Sequence, residues 1–230
     1  IKLSFKWWNT WHTLPVLAWV RAAALYRTGH YQEAERHYLS GLQKYTDHPA
    51  SLCARLDLSY CLFKTGDLEE SERHLRYVTT RAPENREAFM RLARLQMWTG
   101  HAVEAAWTMR RALQKGQLDS EIVATFLLAV LDAEGPVYLL SEAMQYAQGL
   151  SDAAPEQCDR LKLAFARFDI AHGEYEKGRA AIAEMACREN AIFEAILYFS
   201  EILVKEGKIA HARRQLRRAM SASAEHPRLL

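Results

Sequence analysis

Nine histidines, four cysteines and 28 aspartates and glutamates are the side chains here that could hold a metal, attack an electrophile or move protons. Their spacing supports none of these. Cys53, Cys61, Cys158 and Cys187 form no CxxC pair and have no partner histidine. They read as buried free thiols, which fits a reducing compartment and a cytoplasmic location. His30 and His101 each follow a Thr-Gly pair, and His37 and His74 each end a Glu-Arg-His triplet. They recur as copies and do not converge as ligands. Glu33, Glu35, Glu69 and Glu70 read as solvated helix faces. None of G-x-x-x-x-G-K-[ST], G-x-G-x-x-G, H-E-x-x-H or G-x-S-x-G occurs. No catalytic residue, metal ligand or cofactor is predicted.

What does recur is a set of helix-building positions. Gly29, Gly66, Gly100, Gly135, Gly173 and Gly207 are separated by 37, 34, 35, 38 and 34 residues, a period that marks a repeat array. Seven residues before each glycine stand Ala22, Ser59, Ala93, Leu128, Ala166 and Ser200; five after stand Ala34, Ser71, Ala105, Leu140, Gly178 and Ala212. Five of six in each set are small, the exceptions being Leu128 and Leu140, and small side chains let two helices approach. Nine after each glycine comes a large apolar residue, Tyr38, Leu75, Met109, Met144, Ile182 or Leu216, to fill the space between. The spacing predicts first helices over 15–28, 51–65, 86–99, 120–134, 157–172 and 192–206. Second helices follow over 31–45, 68–81, 102–115, 137–149, 175–187 and 209–222, with each glycine in the left-handed turn between. After Gly135, Pro136 and a small-residue position delayed to Ala143 predict a distorted fourth repeat and a loop over 149–155. A kink or a division into sub-arrays is expected there.

Leu58, Ser59, Leu62, Gly66, Leu68, Ser71, Leu75, Val78 and Pro83 sit at the spacings of a 34-residue helix–turn–helix unit. The pattern resembles the tetratricopeptide repeat family, from about Pro15 to Pro227. The resemblance implies an all-α, right-handed superhelical solenoid of six hairpins. Its repeats would be 15–48, 49–82, 83–118, 119–153, 154–190 and 191–226, irregular at 135–155, behind an aromatic extension or cap over 1–14. It also implies a non-catalytic scaffold or adaptor that binds a partner protein. The alternative is a regulatory or targeting module of a larger enzyme, such as a transferase, whose catalytic domain lies outside these residues. Glu225-His226-Pro227 echoes Asp47-His48-Pro49, each proline twenty residues after its glycine, so a further repeat and a longer protein are expected.

In that family the concave face is lined from the first helices, ten, six and three residues before each glycine. The resemblance thus places Trp19, Tyr26, Leu56, Tyr60, Phe63, Met90, Arg94 and Met97 in a groove of the first three repeats, and Arg167 in the fifth. Rigid rings and adaptable thioethers suit an apolar or amphipathic peptide. Alternatively these side chains fill the array from within, and a one-residue shift in the first repeat puts Trp19 and Tyr26 in its core. One subclass holds acidic chain ends with Lys, Asn and Arg; here Trp19, Ala23, Asp57, Glu87 and Arg91 stand there. Only Arg91 fits, so carboxylate capture does not carry over.

Two features lie outside the groove. Arg213, Arg214, Arg217 and Arg218, with Lys205 and Lys208, give the last hairpin a basic face suited to an acidic partner. It lacks interleaved aromatics for base stacking, so nucleic acid is not the expected partner. A net charge of +2 adds no general pull toward nucleic acid or membranes, and no apolar run has transmembrane length. Phe5, Trp7, Trp8 and Trp11, with Lys2 and Lys6, predict a cap over the first repeat, or else an anchor for a membrane surface or a partner.

Overall fold

The computed structural model describes residues 15–153 and 158–225, so the aromatic extension and Pro227 lie outside the described residues. Among the described residues there are helices and no strand. In chain order they are α1 (Pro15–Arg27), α2 (Tyr31–Lys44), α3 (Ser51–Thr65), α4 (Leu68–Arg81), α5 (Arg86–Trp98) and α6 (Ala102–Gln114). These are followed by α7 (Ser120–Asp132), α8 (Val137–Ala153), α9 (Asp159–Ala171), α10 (Tyr175–Cys187), α11 (Phe193–Lys205) and α12 (Ile209–Glu225). Most ends fall within one or two residues of the positions the glycine spacing predicts. The exceptions are α8 and α12, which run further. Gly149 does not end α8, since a glycine without a following proline only weakens a helix.

The first helix of each pair ends in one recurring turn. The residue after the left-handed position donates its N–H to the carbonyl five residues back: His30 to Leu25 (2.9 Å), Asp67 to Leu62 (2.9 Å), His101 to Gln96 (2.7 Å), Glu174 to Asp169 (2.9 Å) and Lys208 to Leu203 (2.8 Å). This is a Schellman closure. The recurring histidines serve it: Thr28 Oγ1 lies 2.9 Å from His30 Nδ1, and Thr99 Oγ1 2.8 Å from His101 Nδ1. The fourth turn departs from the spacing. Glu134, not Gly135, takes the left-handed conformation (φ 45°), and Gly135 donates to Val130 (3.1 Å). Pro136 disfavours helical backbone at the residue before it, so the turn closes one residue early.

Two compact units divide after Leu95, within α5, and not at the irregular fourth repeat. In the first unit α2 packs against α1 and α3, and α3 against α4. Ala22, Ala34 and Leu58 meet in one core, and Ser71 Oγ donates across the α3–α4 hairpin to the Ser59 carbonyl (2.7 Å). In the second unit α7 packs against α6, α8 and α9, and α9 to α12 follow in sequence. Every residue of α7 from Ile122 to Val130 is buried, as an apolar sequence without a polar face requires. α9 and α10 approach closely: a Cβ on Gly178 would lie 2.3 Å from the Ala166 carbonyl oxygen.

One buried group gives the first unit a pH signature. His74 on α4 accepts at Nδ1 from Arg55 Nη1 of α3 (3.2 Å), and its Nε2 has no partner. Burial, and after it the Arg55 and Arg73 charges, push its pKa down to about 4, with Glu70 opposing. The folded state therefore favours the neutral ring. Its stability is complete above the unfolded value near 6.5 and falls as pH drops toward 4. The loss is about 2–3 kcal/mol. Melts at pH 7.5 and 4.5 should show this drop, and His74→Gln should shrink it; an equal drop in both proteins would refute the assignment.

Candidate binding surface

In the first unit two first helices and the second helix between them bring three tyrosines together. Tyr26 at the end of α1, Tyr31 at the start of α2 and Tyr60 on α3 meet edge to face, with centroids 5.3 Å (Tyr26–Tyr60), 5.8 Å (Tyr31–Tyr60) and 6.2 Å (Tyr26–Tyr31) apart. Two cations lie over the Tyr60 ring, Lys64 Nζ at 5.4 Å and the Arg91 guanidinium at 5.8 Å, within reach of a cation–π attraction. Arg91 is held in place: Nη1 donates to the Leu56 carbonyl (3.0 Å) and Nε to Glu87 Oε1 (2.8 Å). Beside it Asp57 accepts from the Tyr38 hydroxyl (3.1 Å). Burial raises the Asp57 carboxyl, against the Tyr38 hydrogen bond and the Arg91 and Arg27 charges. Burial also lifts Tyr60 and Cys61 to about 12, so neither is a nucleophile near neutral pH.

The predicted groove residues divide by depth. Trp19 is 6% exposed, Met90 2% and Tyr60 9%, so all three are core residues and do not line an open surface. Trp19 sits against Gly41, where a Cβ would fall 2.5 Å from its Nε1, and its ring meets His48 edge-on at 5.5 Å. This agrees with the register of the first repeat that makes Trp19 a core residue. Tyr26, Leu56, Phe63, Arg94 and Met97 are half-buried, with Leu56 and Phe63 packed beside Leu75, Leu92 and Leu95.

In the second unit Arg167 joins residues of three first helices. Its Nη1 pairs with Asp132 Oδ1 of α7 (2.6 Å), and its guanidinium stacks 3.9 Å over the Tyr198 ring of α11. The Tyr198 hydroxyl reaches the same carboxylate (3.3 Å), and burial raises its pKa. Seven residues earlier, on the same face of α9, Arg160 pairs with Glu121 of α7 (3.2 Å) and with Glu194 of α11. Tyr198 lies outside the ten, six and three offsets that pick out the groove residues. Its place nine before Gly207 matches Asp57 and Arg91 nine before their glycines. That column lies one turn from the six-before column and shares its face, the signal that identifies it.

The basic hairpin is also split. Arg213, Arg214 and Arg217 are exposed, whereas Arg218 turns back to donate to the carbonyls of Ala186 (3.1 Å) and Arg188 near the end of α10. Among the described residues no group of three or more His, Cys, Asp or Glu is arranged to hold a metal ion, and no helix is long and apolar enough to cross a membrane.

No protein-family model matches the sequence, and no curated protein matches it. Solved structures do. A tetratricopeptide repeat protein from Parabacteroides merdae aligns over 90% of this chain and 79% of its own, with TM-score 0.68 and 14% identity. The fold is the tetratricopeptide-repeat fold. A thermophilic tetratricopeptide repeat protein from Thermus thermophilus aligns over 83% of this chain and all of its own (TM-score 0.52, 14% identity). A double mutant of MamA from strain RS-1 aligns over 93% and 97% (TM-score 0.51, 12% identity). At these identities the likeness is one of fold. In tetratricopeptide-repeat terms, the Arg160 and Arg167 bridges join first helices of the repeats, whereas the tyrosine cluster joins two first helices through Tyr26 and Tyr60 and a second helix through Tyr31.

Proposed function

We propose that the chain is a non-catalytic interaction scaffold that holds an apolar or amphipathic segment of a partner protein on the first-helix face of its first unit. The observation that supports this most is the Tyr26–Tyr31–Tyr60 cluster with Lys64 and Arg91 over it. It is a rigid aromatic platform with half-exposed rings at its edge, and binding hot spots favour such anchors. Phe63 and the exposed Lys64 continue it along α3.

The test is a peptide-display selection on the 230-residue chain, followed by titration of the selected peptides. Phe63→Ala and Lys64→Glu should each weaken binding, Phe63→Ala by about 1–2 kcal/mol, with the helical circular dichroism retained. Selected peptides that bind both variants as well as the parent would remove the platform from consideration.

A further inference from the structure

The outward face of α6 departs from the pattern of the repeats before it. Three and seven residues after their turn glycines, α2 carries Gln32 and Arg36 and α4 carries Glu69 and Arg73, all exposed. At the same offsets α6 carries Val103 and Trp107, 47% and 43% exposed. An indole on a surface that the neighbouring repeats keep charged is a mark of an interaction site. The patch continues onto α8. The Arg110 guanidinium lies 5.2 Å from the Trp107 ring centroid and reaches across to Glu142 of α8, with Nε 2.8 Å from Oε2 and 3.1 Å from Oε1. Trp107 stands one turn before Arg110 and Tyr138 one turn before Glu142, so the two rings lie at one level on adjacent helices. Val137 and Tyr138 are both more than half exposed.

The charges on α6 fit this face to itself. Glu104 and Arg111 are both exposed and stand on one flank of the helix, with Trp107 between them in level; Arg110, and with it α8, lies on the other flank. We propose that two copies of this chain associate through α6, packed antiparallel about a two-fold axis that crosses the helices at the level of Trp107. The axis sets Glu104 of each copy opposite Arg111 of the other, and Trp107 against Trp107. On the α8 flank it carries Val137 and Tyr138 toward the same residues of the second copy. Such a contact is isologous and closes with two copies. A lipid surface fits poorly, because Glu104 and Glu142 stand on either side of Trp107 and anionic headgroups would repel them.

Sedimentation equilibrium of the 230-residue chain should show reversible monomer–dimer exchange, and Trp107→Ala should weaken it about tenfold or more. Glu104→Arg sets arginine opposite arginine and Arg111→Glu sets glutamate opposite glutamate, so each variant alone should also associate about tenfold more weakly. Mixed in equal amounts, the two should form a heterodimer as tight as the parent, because every facing pair again has opposite charges. A contact between copies predicts this rescue, and a surface for another protein does not. The three residues are exposed, so the melts of the variants should match the parent. Glu104→Arg and Arg111→Glu combined in one chain should restore the homodimer, which gives a second reading where a single variant melts early. A chain that stays monomeric, a dimer indifferent to Trp107→Ala, or charge variants that do not associate on mixing overturns the proposal. Pelleting of a monomeric chain with phosphatidylserine vesicles, lost in Trp107→Ala, overturns it in favour of a membrane surface.

Discussion

Gly178→Ala should lower the stability of the protein by about 3 kcal/mol, more than most single methyl additions. The added Cβ would stand 2.3 Å from the Ala166 carbonyl oxygen and 2.7 Å from Ile170 Cγ1. A flexible side chain could swing aside, but a helix backbone cannot, so α9 and α10 must separate along their contact. Gly149→Ala is the matched control. That glycine lies within α8 with nothing within 4 Å of an added Cβ, and the same substitution there should stabilise by about 0.5–1 kcal/mol through helix propensity. Thermal melts of the two variants should move in opposite directions. Similar melts would mean that the α9–α10 contact is looser than described.

Tyr60→Ala should cost about 3–5 kcal/mol, in the range of buried aromatic truncations. The groove spacing alone would treat Tyr60 as a surface anchor whose loss spares the fold. At 9% exposure, and touching both Tyr26 and Tyr31, its ring is part of the scaffold that the other two rings lean on. A variant with an unchanged melt would restore it to the surface. Met90→Ala should follow Tyr60→Ala, since Met90 is 2% exposed.

Helix limits were legible because they depend on local chemistry at fixed offsets. A left-handed turn, a small residue five positions on and a large one nine positions on leave little choice of register, and α4 and α10 lie where that pattern puts them. The fourth turn was less legible because Pro136 acts on the backbone before it, which a glycine count ignores. Depth was the least legible property. An offset of ten or six from a glycine says which way Trp19, Met90 or Tyr60 points, but not how near the next helix comes. The polar contacts of Arg167 were hidden for a related reason. Asp132 and Tyr198 lie 35 residues before it and 31 after it, and only the superposition of three repeats brings them to one guanidinium.

Those arginines bear on how the second unit comes apart. In a stack joined solely by adjacent surfaces, the outermost hairpin can open while the rest stays closed, and amide exchange then grades smoothly inward. Arg160 and Arg167 each touch α7, α9 and α11 from a single side chain. Releasing α11 therefore strips partners from α9 and alters the charge balance felt by α7 in the same event. The slowest amides of the three helices should exchange as one cooperative block, so that the unit opens in a single step where its repeat architecture alone would let it unravel piecemeal.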